Sequence, residues 1–238
     1  MATTPRLLVL ALTLLAALPG AAQSPPGQAS RHTLFAPTDL GLLESPDRDI
    51  WQKPDQVMDA LGIADGSKVA DIGAGSGYFT IRLARRVGPN GVVWAEDVQP
   101  DMLEAIRRRV AKDVAKDIRN VIAVKGTSSD PMLAANSVDA VLILETYQEV
   151  VQDGNPLLFL QNVRKALRPG GRVGIIDYKK GGAGPGPDGP RPDPDAVIAV
   201  AEQAGLRLMK RETFLPFQFF LIFVKQPADP DPVYLNSE

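Results

Sequence analysis

Along the chain, short unbroken apolar runs alternate with segments whose apolar residues recur every three to four positions. The first kind reads as buried strand and the second as amphipathic helix. Val69–Ile72 is an apolar run with Asp71 near its end, and Tyr78 to Val87 follows with helical periodicity. Gly88-Pro89-Asn90-Gly91 stops that helix, and Val92 to Asp97 forms a second strand with acids at its end. Pro100 opens a helix through Met102, Leu103, Ile106 and Val110. Val121–Val124 and Val138–Leu144 are the next two strands, the latter running into Glu145-Thr146-Tyr147-Gln148-Glu149.

Asn155-Pro156 reads as the cap and first-turn proline of a helix to Leu167. Arg168-Pro169-Gly170-Gly171 turns the chain into a fifth strand, Val173 to Asp177. Asp193-Pro194 caps a helix to Gln203, and Leu206–Glu212 and Phe217–Val224 close the series as two strands. Upstream, Pro54 starts a helix with Val57, Met58 and Leu61 on one face, ended by Gly62. Strands alternating with helices, each strand continuously apolar, predict an α/β fold with a parallel sheet covered on both faces. The final strand pair, joined by a short connection, adds an antiparallel strand.

Outside this pattern the chain changes character. Residues 1–22 read as a signal peptide: Arg6 gives the charge, Leu7 to Leu18 the apolar core, and Gly20 and Ala22 the small exit residues. That run is short for a membrane span, so the mature chain is expected to have no stable one; an uncleaved N-terminal anchor is the alternative. The implied address is exported, periplasmic or secreted. Residues 23–48 form a flexible lead-in, 49–225 the folded domain and 226–238 a disordered tail. Lys179 to Asp193, nearly all Gly, Pro, Asp and basic residues, reads as a mobile loop. Trp51 is either a core plug under the sheet edge or part of a ligand lid.

Composition mainly excludes. There is no cysteine, and the single histidine, His32, precedes the domain, so disulfides, thiolate chemistry, His-based triads and His-rich metal sites are not expected. A net charge of -2 supplies no basic field for nucleic acid. Arg107, Arg108 and Arg109 fall in a helical pattern beside Glu104 and read as a solvated face.

The candidate chemistry lies in Lys68–Phe79, KVADIGAGSGYF, where Gly73, Gly75 and Gly77 stand at alternate positions between strand and helix. Such a turn lets the backbone pass close to a ligand. The dinucleotide fingerprint places its third glycine three residues after the second, whereas here it comes two after. Asp97 ends the neighbouring strand, where a carboxylate can bind both ribose hydroxyls. Asp71 either faces the ligand or caps the following helix. Glu96 is expected to face elsewhere, unless a one-residue slip in register exchanges it with Asp97.

At these residues the chain resembles the class I S-adenosylmethionine-dependent methyltransferases over about residues 49–225. VADIGAGSGYF is similar to their first motif, AEDVQPDML to the acidic end of their second strand, NSVDAVLI to their fourth strand and LRPGGRV to the turn before their fifth. A small-molecule-type subgroup, with a tryptophan-proline lead-in and a Tyr-His-Glu segment after strand four, is the nearest in pattern. The resemblance implies a Rossmann-like three-layer sandwich with a mostly parallel seven-stranded sheet and an antiparallel last strand. It implies S-adenosylmethionine as cofactor and a small-molecule methyl acceptor as partner, with no metal.

Carried over by residue, the resemblance has Asp71 hold the methionine amino group and Gly73, Ala74 and Gly75 line the methionine portion, with the turn completed by Gly77. Asp97 would bind the ribose and Val98 pack on the adenine. The family often has an acid after the glycine of the strand-three loop. Here Gly126 is followed by Thr127 and Ser128, so Asp130 or backbone contacts would serve instead. The acceptor would lie near Glu145 to Glu149. Gln148 stands where the subgroup has histidine and cannot act as a base, which leaves proton removal to Tyr147, Glu149 or the substrate itself. Two other readings stay open: an exported binding module that has lost transfer activity, and a nicotinamide-dependent oxidoreductase.

Overall fold

The computed structural model describes residues 47–113, 118–181 and 190–226. The signal peptide, His32, nearly all of the lead-in, residues 182–189 of the Gly/Pro stretch and the tail from 227 onward lie outside the described residues.

The helices are α1 (Arg48–Gln52), α2 (Pro54–Ala60), α3 (Tyr78–Val87), α4 (Pro100–Asp113), α5 (Tyr147–Asp153), α6 (Pro156–Ala166) and α7 (Pro194–Gln203). The strands are β1 (Lys68–Ile72), β2 (Val92–Asp97), β3 (Val121–Lys125), β4 (Val138–Leu144), β5 (Leu167–Tyr178), β6 (Leu206–Glu212) and β7 (Gln218–Lys225). They form one seven-stranded sheet in the order β3-β2-β1-β4-β5-β7-β6. β1 to β5 pair in parallel, and β7 runs antiparallel between β5 and β6.

Local chemistry sets the boundaries. Proline occupies the first position of α2, α4, α6 and α7, where its missing N–H costs nothing. The Asn155 side chain accepts from Leu158 N–H at 3.0 Å, and Asp193 accepts from Asp195 N–H at 2.9 Å, so both residues act as the expected caps. Apolar residues divide between the faces. Along β7, Phe219, Leu221 and Phe223 join α6 and α7 in one core cluster, while Phe220 and Ile222 join α2 and α3 in the other. That period of two in an unbroken apolar run is what a central strand covered on both sides requires. Among the described residues, no helix is long and apolar enough to cross a membrane.

Three departures from the expected elements matter. α1 precedes the expected first helix. α5 forms where the sequence pattern after β4 predicts only a strand end. β5 begins at Leu167, because Leu167 pairs with Val138 across an irregularity in register before the regular pairing from Arg172.

Candidate active site

The sheet order reverses at β1, whose neighbours are β2 and β4, and at such a switch point a crevice opens beyond the carboxyl ends of the strands. One cavity occupies that place. Its walls come from the turn after β1, the ends of β2, β4 and β5, the loop after β3, and the starts of α1, α3 and α5.

The glycine turn is held open by geometry. Gly73, Gly75 and Gly77 all have positive φ, at 67°, 53° and 85°, which side-chain-bearing residues rarely adopt. Gly73 and Gly75 line the cavity with Ala74 and Ser76. Gly77 does not line it and instead starts α3. The Ser76 hydroxyl is buried and, among the described residues, has no hydrogen-bond partner. An unpaired buried hydroxyl is costly, so a ligand atom at this point would repay the structure.

Asp71 is buried and lines the cavity, and its Oδ2 also accepts a 2.7 Å hydrogen bond from Thr80 Oγ1 in the first turn of α3. Asp71 therefore faces the cavity and does not cap α3, whose N-cap is Gly77 with no side-chain cap hydrogen bond. Burial raises its pKa to about 6 against the pull of Thr80, with Asp97 adding repulsion. Asp97 accepts from Gly75 N–H at 2.9 Å and Gln99 N–H at 2.8 Å, which fastens the end of β2 to the glycine turn. Its pKa is raised by burial, with its backbone hydrogen bonds opposing. Val98, Thr127 and Ser128 line the same wall.

Glu96 does not face elsewhere. Buried beside Asp97, it lines the cavity as well, and its Oε2 accepts from Gly73 N–H at 3.4 Å. Asp130, considered as a replacement for the missing strand-three acid, lies outside the lining; its Oδ1 is occupied by Met132 N–H at 2.8 Å.

At the other end, Glu145 lines the cavity from a left-handed conformation, φ 55°, at the turn out of β4. Gln148 and Glu149 line it too. Tyr147 does not: as the first residue of α5 it turns inward, is 2% exposed and belongs to the core under β4 and α6. Burial pushes its hydroxyl up to about 12, so the expected catalytic role of Tyr147 gives way to a packing one.

Several cavity residues carry little signal in the sequence. Asp177, at the end of β5, accepts from Gln148 N–H at 3.3 Å and Tyr178 N–H at 2.8 Å; burial, then the nearby Glu145, raises its pKa to about 7. The only sequence signal was an acid closing an apolar run. Arg48 reaches the cavity from α1, with its guanidinium 4.1 Å from the Tyr78 ring centre. No spacing pointed to it. Trp51 packs half-buried against Tyr178 and Phe217, at 6.5 Å and 5.9 Å between ring centres, and belongs neither to a core cluster nor to the cavity lining. Arg107 and Arg108 are exposed as expected, but Arg109 folds back to donate to the Ser76 carbonyl at 3.3 Å.

Residues 69–171 match the family model described as a methyltransferase domain. An uncharacterised methyltransferase of Mycobacterium tuberculosis is 36% identical over 124 residues, 52% of this chain and 44% of the relative. A demethylmenaquinone methyltransferase of Staphylococcus aureus is 33% identical over 128 residues, 54% of this chain and 49% of the relative. The chain therefore spans about half the length of the curated relatives it matches. Among solved structures, a SAM-dependent methyltransferase from Aquifex aeolicus superposes with a TM-score of 0.68 at 27% identity, covering 80% of this chain and 98% of that one. Fold, cavity position and these matches define a methyltransferase domain. Over this domain the chain is similar to S-adenosylmethionine-dependent methyltransferases. That placement leaves the nicotinamide reading without support.

Proposed function

We propose that the cavity binds S-adenosylmethionine along the glycine turn and that the chain transfers its methyl group to a small-molecule acceptor. The observation that carries this is the convergence, in one switch-point cavity, of the positive-φ turn, buried Asp71 and Asp97, and the unpartnered Ser76 hydroxyl. Asp71 and the backbone of Gly73–Gly75 would hold the methionine portion, Asp97 the ribose, and Val98 and the Thr127-Ser128 loop the adenine. The cofactor supplies an already activated methyl group, so the protein's part is to align the acceptor and exclude water. At the acceptor end, Asp177 and Glu149 face the cavity beside Gln148 and take over proton removal from the absent histidine.

Isothermal titration with S-adenosylmethionine is expected to give saturable heat with the native protein and none with a folded Asp71→Ala/Asp97→Ala variant. Absence of heat from the native protein would overturn the reading.

A second reading follows from Gln148, which lines the cavity where the subgroup has histidine. An inactive cofactor-binding module would bind S-adenosylmethionine yet methylate nothing. We also propose export, from residues 1–22. Intact mass of the secreted protein is expected to correspond to a chain starting at Gln23. A full-length mass would point to a retained anchor.

A further inference from the structure

Four acidic side chains are buried on the strands that end at the cavity, and one of them, Glu96, lines it without an assigned ligand role. The β2 backbone fixes its position: Ala74 N–H donates to the Glu96 carbonyl at 2.9 Å, locking the end of β2 against the glycine turn. Its side chain then reaches across the end of the sheet. Oε2 meets Gly73 N–H, and Oε1 occupies the space that a Cβ at Gly126 would fill, at the start of the loop after β3. This loop is the one that lacks an acid after its glycine. The carboxyl missing from β3 is thus present in space, supplied by β2.

We propose that Glu96 is a second carboxyl ligand of the cofactor, standing beside Asp97 at the adenosyl end of the cavity and doing the work that the strand-three loop leaves undone. This rests on the methyltransferase reading above and extends it by a residue. The unpartnered Ser76 hydroxyl in the same cavity independently indicates that a polar ligand completes these walls.

The placement has an electrostatic consequence. Asp97 on the same strand, Asp71 on β1 and Asp130 after β3 all repel a charge on Glu96, and burial opposes it most. Without ligand its pKa is raised to about 8, so at neutral pH the carboxyl carries its proton. A sulfonium cation entering this cluster favours the ionised form. Glu96 then releases its proton to solvent as it takes up a hydrogen bond from the ligand, and affinity rises with pH between about 6 and 8. The sign for stability runs the other way. With its folded pKa raised, Glu96 stabilises the ligand-free protein below its unfolded value of 4.5, and that contribution is lost as pH rises towards 8.

The test is calorimetric titration of the full chain with S-adenosylmethionine at pH 7 in buffers of different ionisation enthalpy. The native protein is expected to release up to roughly one proton per cofactor bound. Glu96→Gln keeps the shape and an acceptor for Gly73 N–H. It is expected to bind roughly tenfold to a hundredfold more weakly and to lose most of the proton release. Binding by the native protein without proton release would overturn the proposal and needs no variant. So would a Glu96→Gln variant with native affinity and native proton release, which would leave Glu96 as a filler of the Gly126 gap. No binding by the native protein would instead overturn the cofactor reading itself, and is distinguishable from either result.

Discussion

Gly73→Ala is expected to lower the melting temperature by about 10 °C and to abolish S-adenosylmethionine binding. The reasons are separable. At φ 67° an alanine sits in the left-handed region, at a cost of about 1–2 kcal/mol. The added Cβ would also overlap Thr146 Oγ1, Cγ2 and Cβ, with none of them farther away than 2.7 Å. Overpacking of that kind costs about 1–3 kcal/mol more, and a domain of this size loses about 2–4 °C per kcal/mol. Thr146 is the N-cap of α5, so displacing it moves Gln148 and Glu149, while any shift of Gly73 breaks its contact with Glu96. Gly66→Ala is the control. Its φ is 78° but nothing lies within 4 Å of the new methyl, so it should show the backbone cost alone. Adding Thr146→Ala to Gly73→Ala should recover part of the loss. Scanning calorimetry reads all of these, and a Gly73→Ala protein that melts no lower than Gly66→Ala would rule out the overlap.

The same turn shows what sequence can and cannot carry. Its strand, glycines and helix were legible because each is a local matter: an apolar run, a left-handed position, a 3.6-residue period. The sheet was legible for the same reason, down to the boundaries of β2, β4, α3 and α7. Facing was harder. Glu96 and Asp97 are neighbours on one strand and were expected to part company, but a strand's end is free of the alternation that its middle obeys, and both turn into the cavity. Tyr147 looked poised at a strand end, but a short helix begins there and rotates it into the core. α5 itself was invisible because Tyr147–Asp153 is only two turns long and offers no side-chain cap. Asp177 and Arg48 enter the site only through tertiary packing, which local sequence does not encode.

Arg48→Ala is expected to destabilise the protein by about 3 kcal/mol, and the cause is a polar ring closed by residues far apart in the chain. Arg48 Nε donates to Gln52 Oε1 at 3.2 Å, Gln52 Nε2 to Gln218 Oε1 at 2.5 Å and Gln218 Nε2 to Glu145 Oε1 at 2.7 Å. The ring closes where Arg48 Nη2 stands 3.6 Å from Glu145 Oε2. Arg48, Gln52 and Gln218 are at most 5% exposed, so each lost partner leaves a polar atom with little access to water. The ion pair is longer than an ideal one, which argues for the lower end of the range for breaking buried pairs. Truncation also removes the cation from the Tyr78 face. Glu145→Gln keeps the acceptor for Gln218 and removes only the charge, so it should cost less. Combining Arg48→Met with Glu145→Gln should cost less than the sum of the single changes, because no charge is then left unpaired. Urea unfolding of this double-mutant cycle measures the coupling, and strictly additive effects would remove the ring's claim. Because Arg48 and Glu145 both line the cavity, the ring that fastens α1 to the ends of β4 and β7 also builds the wall proposed to hold the acceptor. Under the proposed function, a variant that loosens it should lose acceptor alignment before it loses the cofactor, because the residues proposed to hold the cofactor line the cavity from β1 and β2.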